Sequence, residues 1–510
     1  MTLIILKELE EYTVNTTLPL NKHDFIRKLN LDPTIKKDTR IYNSVLNELE
    51  KTSFFKHTTQ ATRLEDINTE YDEDNDEDSY TKNKETFHFT FTGILIVKGL
   101  SIVVYPKHVA HIKEDKELKK FKQIIHVIKK YQKRTQTVSL FEDEEVNTTN
   151  KLSLAIQILD YYNEYGLYTV ENSIVEENGE GDILWEKTIN EMPIVFSGKS
   201  PVYLNTYTDS SQFDDQNLVR LIQMAVMNDI KHTFADVLNI MDYNNYHEND
   251  VSLDSLGDDT HLIYNLDKEA RTQFISHNIE LINLLSLYIK DASRDSESSS
   301  INVFGVNHFY HVWEDVCKVV YKNDLDKTIA ELGLNYDWEK SERIKRWVDK
   351  ENIKMPLEKL KLKDIVEKPK WSKTEDKETY YSKSSLKLDV LHIDKANKEF
   401  RIYDAKYYLT KFKNGKVINP PGIGDITKQY LYQLAYREFA KEQSQNKEKE
   451  YTFSNQFIIP KDNYQDKDKG KHTKPVATIS LDMFKEYSLS NIDVIPRDCE
   501  TMFKEYLAHY

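Results

Sequence analysis

Two β-rich runs, Leu386 to Ile393 and Phe400 to Leu409, are bridged by the polar hexapeptide DKANKE at Asp394 to Glu399. Such runs joined by a short polar turn fold as a hairpin. This one constrains the chain more than any other feature because it fixes three charged residues in register. Asp389 stands in the first strand and Asp404 in the second, so the turn lets their carboxylates converge on one ion. Lys406, two residues beyond Asp404, shares its face because side chains alternate with period two. Ala405, between them, faces the other way and lends only its backbone carbonyl.

The surroundings of the hairpin set the fold class. Phe309 to Tyr321 carries Phe309, Val312, Val316 and Val319/Val320 at helical spacing. After the Pro420-Pro421-Gly422 loop, Thr427 to Ala440 returns to helical character, and a strand follows at Phe453 to Ile459. Helix, hairpin, helix and strand is the order of an α/β sandwich. Ahead of it, residues 1–65 read as a helical segment and 66–86 as an acidic linker. Residues 87–292 begin with two strands in FHFTFTGILIVKGLSIVVYP and continue through helices to Tyr165, a strand-rich middle region that includes Gly181 to Ile189, and helices from Asn217 to Lys290. The composition shift SRDSESSS, Ser293 to Ser300, marks the boundary of a last domain at 301–510. The expectation is an α/β chain of the α+β multidomain kind.

A length of 510 residues with 39% apolar content allows two or three domains with their own cores. No run approaches the roughly 20 apolar residues of a membrane span, and Met1 to Leu6 lacks the cationic flank of a secretory signal. Cys317 and Cys499 can form neither a disulfide framework nor a four-thiolate zinc site, so a cytoplasmic setting is expected. The net charge of −15 argues against a surface that is basic all over. Much of the acid sits in one run from Glu70 to Asp78, whereas lysines gather around Trp371 (Lys359, Lys361, Lys363, Lys368, Lys370, Lys373) and at Lys461, Lys467, Lys469, Lys471 and Lys474. Such clusters neutralise phosphates locally or form a solvated face.

Phosphodiester hydrolysis needs a basic water, a cation to absorb negative charge and stabilisation of the departing oxygen. Oxygen ligands on a hard cation such as Mg²⁺ supply most of this, and Asp389, Asp404, the Ala405 carbonyl and Lys406 are of the required types. Glu314 lies at the edge of the apolar face of its helix, near Tyr310 and Tyr321, where it enters a cleft or flanks Trp313 as a surface acid. Gln429, Gln433 and Tyr436, at i, i+4 and i+7, form a polar stripe able to hold a water or a phosphate, or part of a helix covering the sheet.

LDV at Leu388 to Val390 followed by YDAKYY at Tyr403 to Tyr408 resembles the paired half-motifs of the PD-(D/E)xK nuclease superfamily, with Leu388 where proline often stands. Together with PPGIGDITKQYLYQLAY at Pro420 to Tyr436, FYHVWEDV at Phe309 to Val316 and GDILWEKTI at Gly181 to Ile189, the chain from about Phe87 onward is similar to the LlaJI family of restriction endonucleases, relatives of McrC. The resemblance implies a restriction-endonuclease-like α/β/α core with a mixed sheet, preceded by helical and β-rich domains. It implies that Asp389, Asp404 and Lys406 are catalytic on double-stranded DNA, with Glu314 and Gln433 in support and Mg²⁺ bound by Asp389, Asp404, Ala405 and Glu314. It also implies a GTP-hydrolysing AAA+ partner of the McrB kind and companion methyltransferases. GDILWEKTI carries no chemistry of its own, and core packing of Trp185 is the expected role.

Ser197-Gly198-Lys199-Ser200 is like the end of a P-loop, but Pro193 replaces its first glycine and Pro201 stands where a helix should run on, so it is rejected. His308/His311 and His108/His111 have zinc-like spacing without a completing ligand set and are expected to be surface or core histidines. Three functions remain: a Mg²⁺-dependent DNA-cutting subunit, an interaction subunit whose amino-terminal half docks on a motor and stimulates its GTPase, or a stand-alone repair nuclease that cuts without a partner.

Overall fold

The computed structural model describes residues 3–9, 20–21, 26–27, 29, 31–32, 34–58, 86–97, 100–109, 114–135, 151–241, 243, 249–292, 301–374, 379–413, 416–444, 450–462 and 474–509. The acidic run 70–78, the serine-rich run 293–300, His111 and Lys467, Lys469 and Lys471 lie outside the described residues.

The first sheet draws its strands from both ends of the amino-terminal half. Strand β1 (Leu3–Lys7) runs parallel to β3 (Leu100–Tyr105), which pairs antiparallel with β2 (Phe91–Val97). The LIILK run is short, and its partner lies about a hundred residues on, so the helical expectation for residues 1–65 is corrected here. Lys36–Leu49 is helical, but Leu3–Lys7 and Phe55–Thr58 are strands. Helices α1 (Glu114–Thr135) and α2 (Lys151–Tyr165) follow.

A smaller β module comes next. Strands β4 (Glu171–Glu177) and β5 (Asp182–Ile183) flank β8 (Tyr207–Phe213) in an antiparallel sheet, and β6 (Ile194–Ser197) pairs with β7 (Ser200–Tyr203). The turn between β6 and β7 is Gly198-Lys199, with Gly198 at φ +70°, so the P-loop-like tetrapeptide is a hairpin tip. Helices α3 (Leu218–Ile240), α4 (Asp259–Thr272) and α5 (Ser276–Ala292) close this half. Helix α3 begins where Asn217 accepts hydrogen bonds from the Val219 and Arg220 backbone N–H groups, satisfying otherwise orphaned donors.

Strand β9 (Ile301–Asn307) follows the serine-rich run but pairs antiparallel with β2. The expected last domain therefore starts with a strand of the first sheet. Helix α6 (Tyr310–Val320) leads into the second sheet, whose order is β10 (Val390–Asp394), β11 (Glu399–Ala405), β12 (Thr452–Lys461), β14 (Ile492–Asp498) and β13 (Ala477–Ile479). The sheet is mixed: β11, β12 and β14 run parallel, and the two edge strands are antiparallel. Parallel neighbours need a crossover, and helix α7 (Ile423–Ser444) supplies it between β11 and β12.

Alternation along β11 assigns its faces. Phe400 and Ile402 pack under α7 with Tyr432, Tyr436 and Phe439. Tyr403 and Ala405 face the other side, in a core shared with Val312, Trp313 and Val316 of α6 and with Phe503 of α8 (Cys499–Ala508). The result is the α/β/α sandwich expected of the carboxy-terminal part. That same core continues into Phe121, Ile125 and Ile128 of α1 and Ile222 of α3, so the halves share one interior. Trp313 is fully buried and donates its Nε1–H to the Ile458 carbonyl at 3.2 Å, which pins α6 to the central strand.

Candidate active site at the end of the hairpin

The hairpin turn is tighter than the hexapeptide DKANKE. Asp394 and Glu399 are themselves a cross-strand pair, leaving four residues in the loop. The Asp394 carboxylate accepts from the Ala396 and Asn397 backbone N–H groups, and Lys398 takes the left-handed conformation at φ 53°. Arg401 reaches back to both acids, at 2.7 Å from Asp394 and 2.7 Å from Glu399. Asp324 braces the outer strand by accepting from the Ile393 backbone at 2.9 Å and pairing with His392 Nδ1 at 3.0 Å.

At the opposite end of the strands the charged residues converge. Asp389 lies immediately before β10 rather than inside it, and its Oδ2 accepts from the Ala405 backbone N–H at 2.9 Å. Asp404 is buried at 6% exposure, and its Oδ2 stands 2.9 Å from Lys406 Nζ. Lys406 is therefore on the same face as Asp404, and Ala405 faces the α6 core, as period-two alternation requires.

Sequence reasoning missed Asp425, the second partner of Lys406. Its Oδ1 lies 2.8 Å from Lys406 Nζ, and its Oδ2 accepts from Tyr408 at 3.3 Å. Asp425 sits buried in the first turn of α7, where a carboxylate also suits the helix dipole. The Pro-Pro-Gly loop ending at a helix start was its local signal; the contact itself spans 19 residues of sequence. Tyr432 was missed too: its hydroxyl donates to the Lys387 carbonyl at 2.8 Å, holding the segment that leads into Asp389.

The electrostatics follow from this crowding. Burial pushes the Asp404 carboxyl above its usual range, and the Asp389 charge pushes it further, against the pull of Lys406. Burial disfavours the Lys406 ammonium, but Asp404 and Asp425 outweigh it and hold the lysine protonated. Glu314 on α6 is pushed up to about 7 by burial and by Asp389, while Lys318, 3.9 Å away, pulls it down. The Glu314 side chain keeps 28% of its surface open and is close enough to Asp389 to feel its charge.

This donor set suits a hard divalent cation in part. A buried carboxylate such as Asp404, whose proton affinity burial and the neighbouring Asp389 charge raise, is neutralised by such an ion as well as by a proton. Mg²⁺ is held by one or two carboxylates and keeps several waters. Among the described residues no group of three or more His, Cys, Asp or Glu side chains forms a ready-made cage. Asp404 is turned onto Lys406 and Asp389 onto a backbone N–H.

Other expected site residues lie elsewhere. Gln433 is buried, and its Oε1 accepts from Asn455 Nδ2 at 2.9 Å and from the Ser490 backbone at 3.0 Å, so the structure does not bring it to the carboxylates. Tyr436 donates to the Leu362 carbonyl from within the core, and Gln429 reaches the Gln456 carbonyl at 3.5 Å. The polar stripe of α7 thus knits the helix to the sheet and loops. Trp185 is 54% exposed, which overturns its expected core role: it opens a short helix, Trp185–Glu191, that buries only Thr188. His108 is a core histidine at 5% exposure. Trp371, 66% exposed, pairs across a short hairpin with Tyr380, and its Nε1–H donates to Ser382 Oγ at 2.8 Å. Among the described residues no helix is long and apolar enough to cross a membrane.

Comparison with known proteins places the chain among the restriction endonucleases, as a restriction-system subunit. The model of the LlaJI restriction endonuclease family matches residues 91–340 and 354–484, and the chain belongs to that family. The Bacillus subtilis (strain 168) type II restriction enzyme BsuMI component YdjA is 25% identical over 390 residues, covering 74% of this chain and 73% of the relative. A chain of the refined half-complex from the tetradecameric assembly of Thermococcus gammatolerans McrB AAA+ hexamers with bound McrC aligns over 99% of this chain and 98% of its own length, at 13% identity and a TM-score of 0.35. A second structure, the cryo-EM McrBC complex of the same organism, aligns over 57% and 87% at 11% identity and a TM-score of 0.20.

Proposed function

We propose that this chain is the DNA-cutting subunit of its restriction system, hydrolysing phosphodiesters of double-stranded DNA in a Mg²⁺-dependent reaction at the end of the hairpin. The observation that carries the reading is the placement of Lys406 Nζ between Asp404 and Asp425 while Asp389 grips the backbone between Asp404 and Lys406. Asp389, Asp404 and the Ala405 carbonyl would hold the cation, with Glu314 approaching from the cleft. A bound Mg²⁺ supplies charge neutralisation at the phosphoryl oxygens and acidifies a water. Lys406, kept charged by two carboxylates, donates hydrogen bonds to the attacking water and fixes its direction. Asp425 would keep that ammonium in place were Asp404 to hold the cation, and Gln433 steadies the supporting helix through Asn455 and Ser490.

The exposed Trp371 and Tyr380, with Lys368 and Lys370 close by in sequence, support contact with a nucleic-acid surface. One active site cuts one strand, so a double-strand break needs two copies brought together. Nucleotide energy would come from a GTP-hydrolysing AAA+ partner of the McrB kind, with companion methyltransferases protecting host DNA.

The β module favours a second, compatible reading, in which the amino-terminal half docks on that partner and stimulates its GTPase. Trp185, Phe196, Leu204 and Phe213 are all exposed there, an apolar surface of the sort that marks interaction sites. Cleavage by the reconstituted system with Asp389→Ala, with and without a chelator, tests the nuclease reading. Loss of cutting in both arms is expected, and Asp389→Ala cutting at the wild-type rate would end it.

A further inference from the structure

Glu8 is a carboxylate buried to 3% exposure where the first sheet meets the second, and nothing in the reaction above uses it. Its backbone N–H donates to the Tyr105 carbonyl at 2.7 Å, so its position is set by the strand pair β1–β3. Its side chain then serves three segments. Oε2 accepts from the Tyr407 hydroxyl at 3.0 Å and the Lys107 backbone N–H at 3.3 Å, and Oε1 accepts from the Phe309 backbone N–H at 3.4 Å. Two of these segments belong to the candidate active site. Tyr407 directly follows Lys406, and Phe309 is the residue at the start of α6, the helix that carries Glu314. Phe309 offers α6 no side-chain cap of its own, so Glu8 supplies an acceptor there from the far end of the sequence.

The Tyr407 ring is equally fixed. Lys107 Nζ stands 4.7 Å above it, Phe309 and His108 wall it at 5.7 and 5.8 Å, and His108 Nδ1 meets its hydroxyl at 3.2 Å. A buried carboxylate is expensive to keep where an apolar side chain would pack. Its geometry gives it a use: one group ties the exit of the lysine-bearing strand and the entry of the glutamate-bearing helix to a sheet belonging to the other half. We infer that Glu8, acting through Tyr407, is a positioning residue that couples the amino-terminal sheet to the placement of Lys406 and Glu314. This rests on the proposed catalytic role of Lys406.

The test compares Tyr407→Phe, Glu8→Ala and their double variant in the full chain, by single-turnover cleavage in the reconstituted system, by thermal unfolding and by amide hydrogen exchange. Tyr407→Phe removes a single hydroxyl and carries the test if Glu8→Ala does not fold. The expected result is a cleavage rate lowered on the order of tenfold in each single variant, the scale seen when groups that orient a site are removed. DNA KM should be unchanged, and the double variant no slower than the worse single one, because both changes break the same bond. Exchange should accelerate at 406–409 while Phe91–Val97 and Leu100–Tyr105 stay protected. Rates equal to wild type, a loss that only tracks the folded fraction, or effects that multiply in the double variant would overturn the inference. If wild type itself cuts no DNA, the failure lies with the nuclease reading.

Discussion

The hairpin edge around Asp404 and the β module around Trp185 are both rich in strands, yet they dispose their side chains in opposite ways. At the hairpin both faces are covered by helices, and the charged residues are turned inward onto one another. In the module, Ile194, Val195 and Phe196 are exposed in succession, and Trp185 is exposed as well. Composition alone does not separate the two: Trp313 is fully buried and Trp185 is 54% exposed. What separates them is whether the helix that carries the tryptophan packs into a core, as that of Trp313 does. An inward charge cluster is costly to fold and suits chemistry, whereas an outward apolar face is costly to leave in water and suits a partner.

The comparison breaks most visibly at Lys406. If the inward cluster is the reactive one, Lys406→Ala slows single-turnover cleavage by about a thousandfold, corresponding to roughly 4 kcal/mol of transition-state stabilisation. Trp185→Ala should leave the chain's own stability within about 0.5 kcal/mol. Trp313→Ala, by contrast, should cost about 3–5 kcal/mol through lost burial and the cavity left behind. Chemical denaturation of the two tryptophan variants measures that gap directly, and equal midpoints would erase the distinction between the regions.

Acid sharpens the contrast more gently. Burial lowers His108 to about 3, with nearby lysines adding to the effect against Asp462, and it lowers His88 to about 4, with Lys56 adding. Their folded values lie below the unfolded 6.5, so the unfolded chain binds protons that the folded chain refuses. Stability is therefore lost as pH falls below about 6.5, at up to about 1.4 kcal/mol per pH unit for each histidine, until the folded values are reached. Glu8, raised by burial, works in the opposite sense, its contribution shrinking as pH rises above its unfolded value of 4.5. The module from Glu171 to Phe213 contains no histidine. Hydrogen exchange at pH 5 against pH 7 should thus show the strand Thr86–Phe89 and the stretch around His108 loosening while β4–β8 pairing is unchanged.

The hairpin was legible because its signal is local: alternation, a polar turn, and two charged residues spaced by two. The α/β sandwich order was legible for the same reason. Asp425 and Gln433 were not, because their roles depend on partners brought in by tertiary packing, Lys406 for one and Asn455 and Ser490 for the other. Both residues lie on the same helix, and no periodicity tells which turn meets the charged end of the sheet. The LIILK strand escaped because its parallel partner is remote in sequence. Trp185 was misjudged because a tryptophan in an apolar run has the same sequence signature inside a core and on an uncovered face.

The central claim is that the end of the hairpin cuts DNA. Cleavage of double-stranded DNA by the reconstituted system carrying Asp404→Ala, at saturating Mg²⁺ and with folding verified by circular dichroism, tests it most directly. The account predicts no cleavage above background from a folded variant; cutting at the wild-type rate would contradict it.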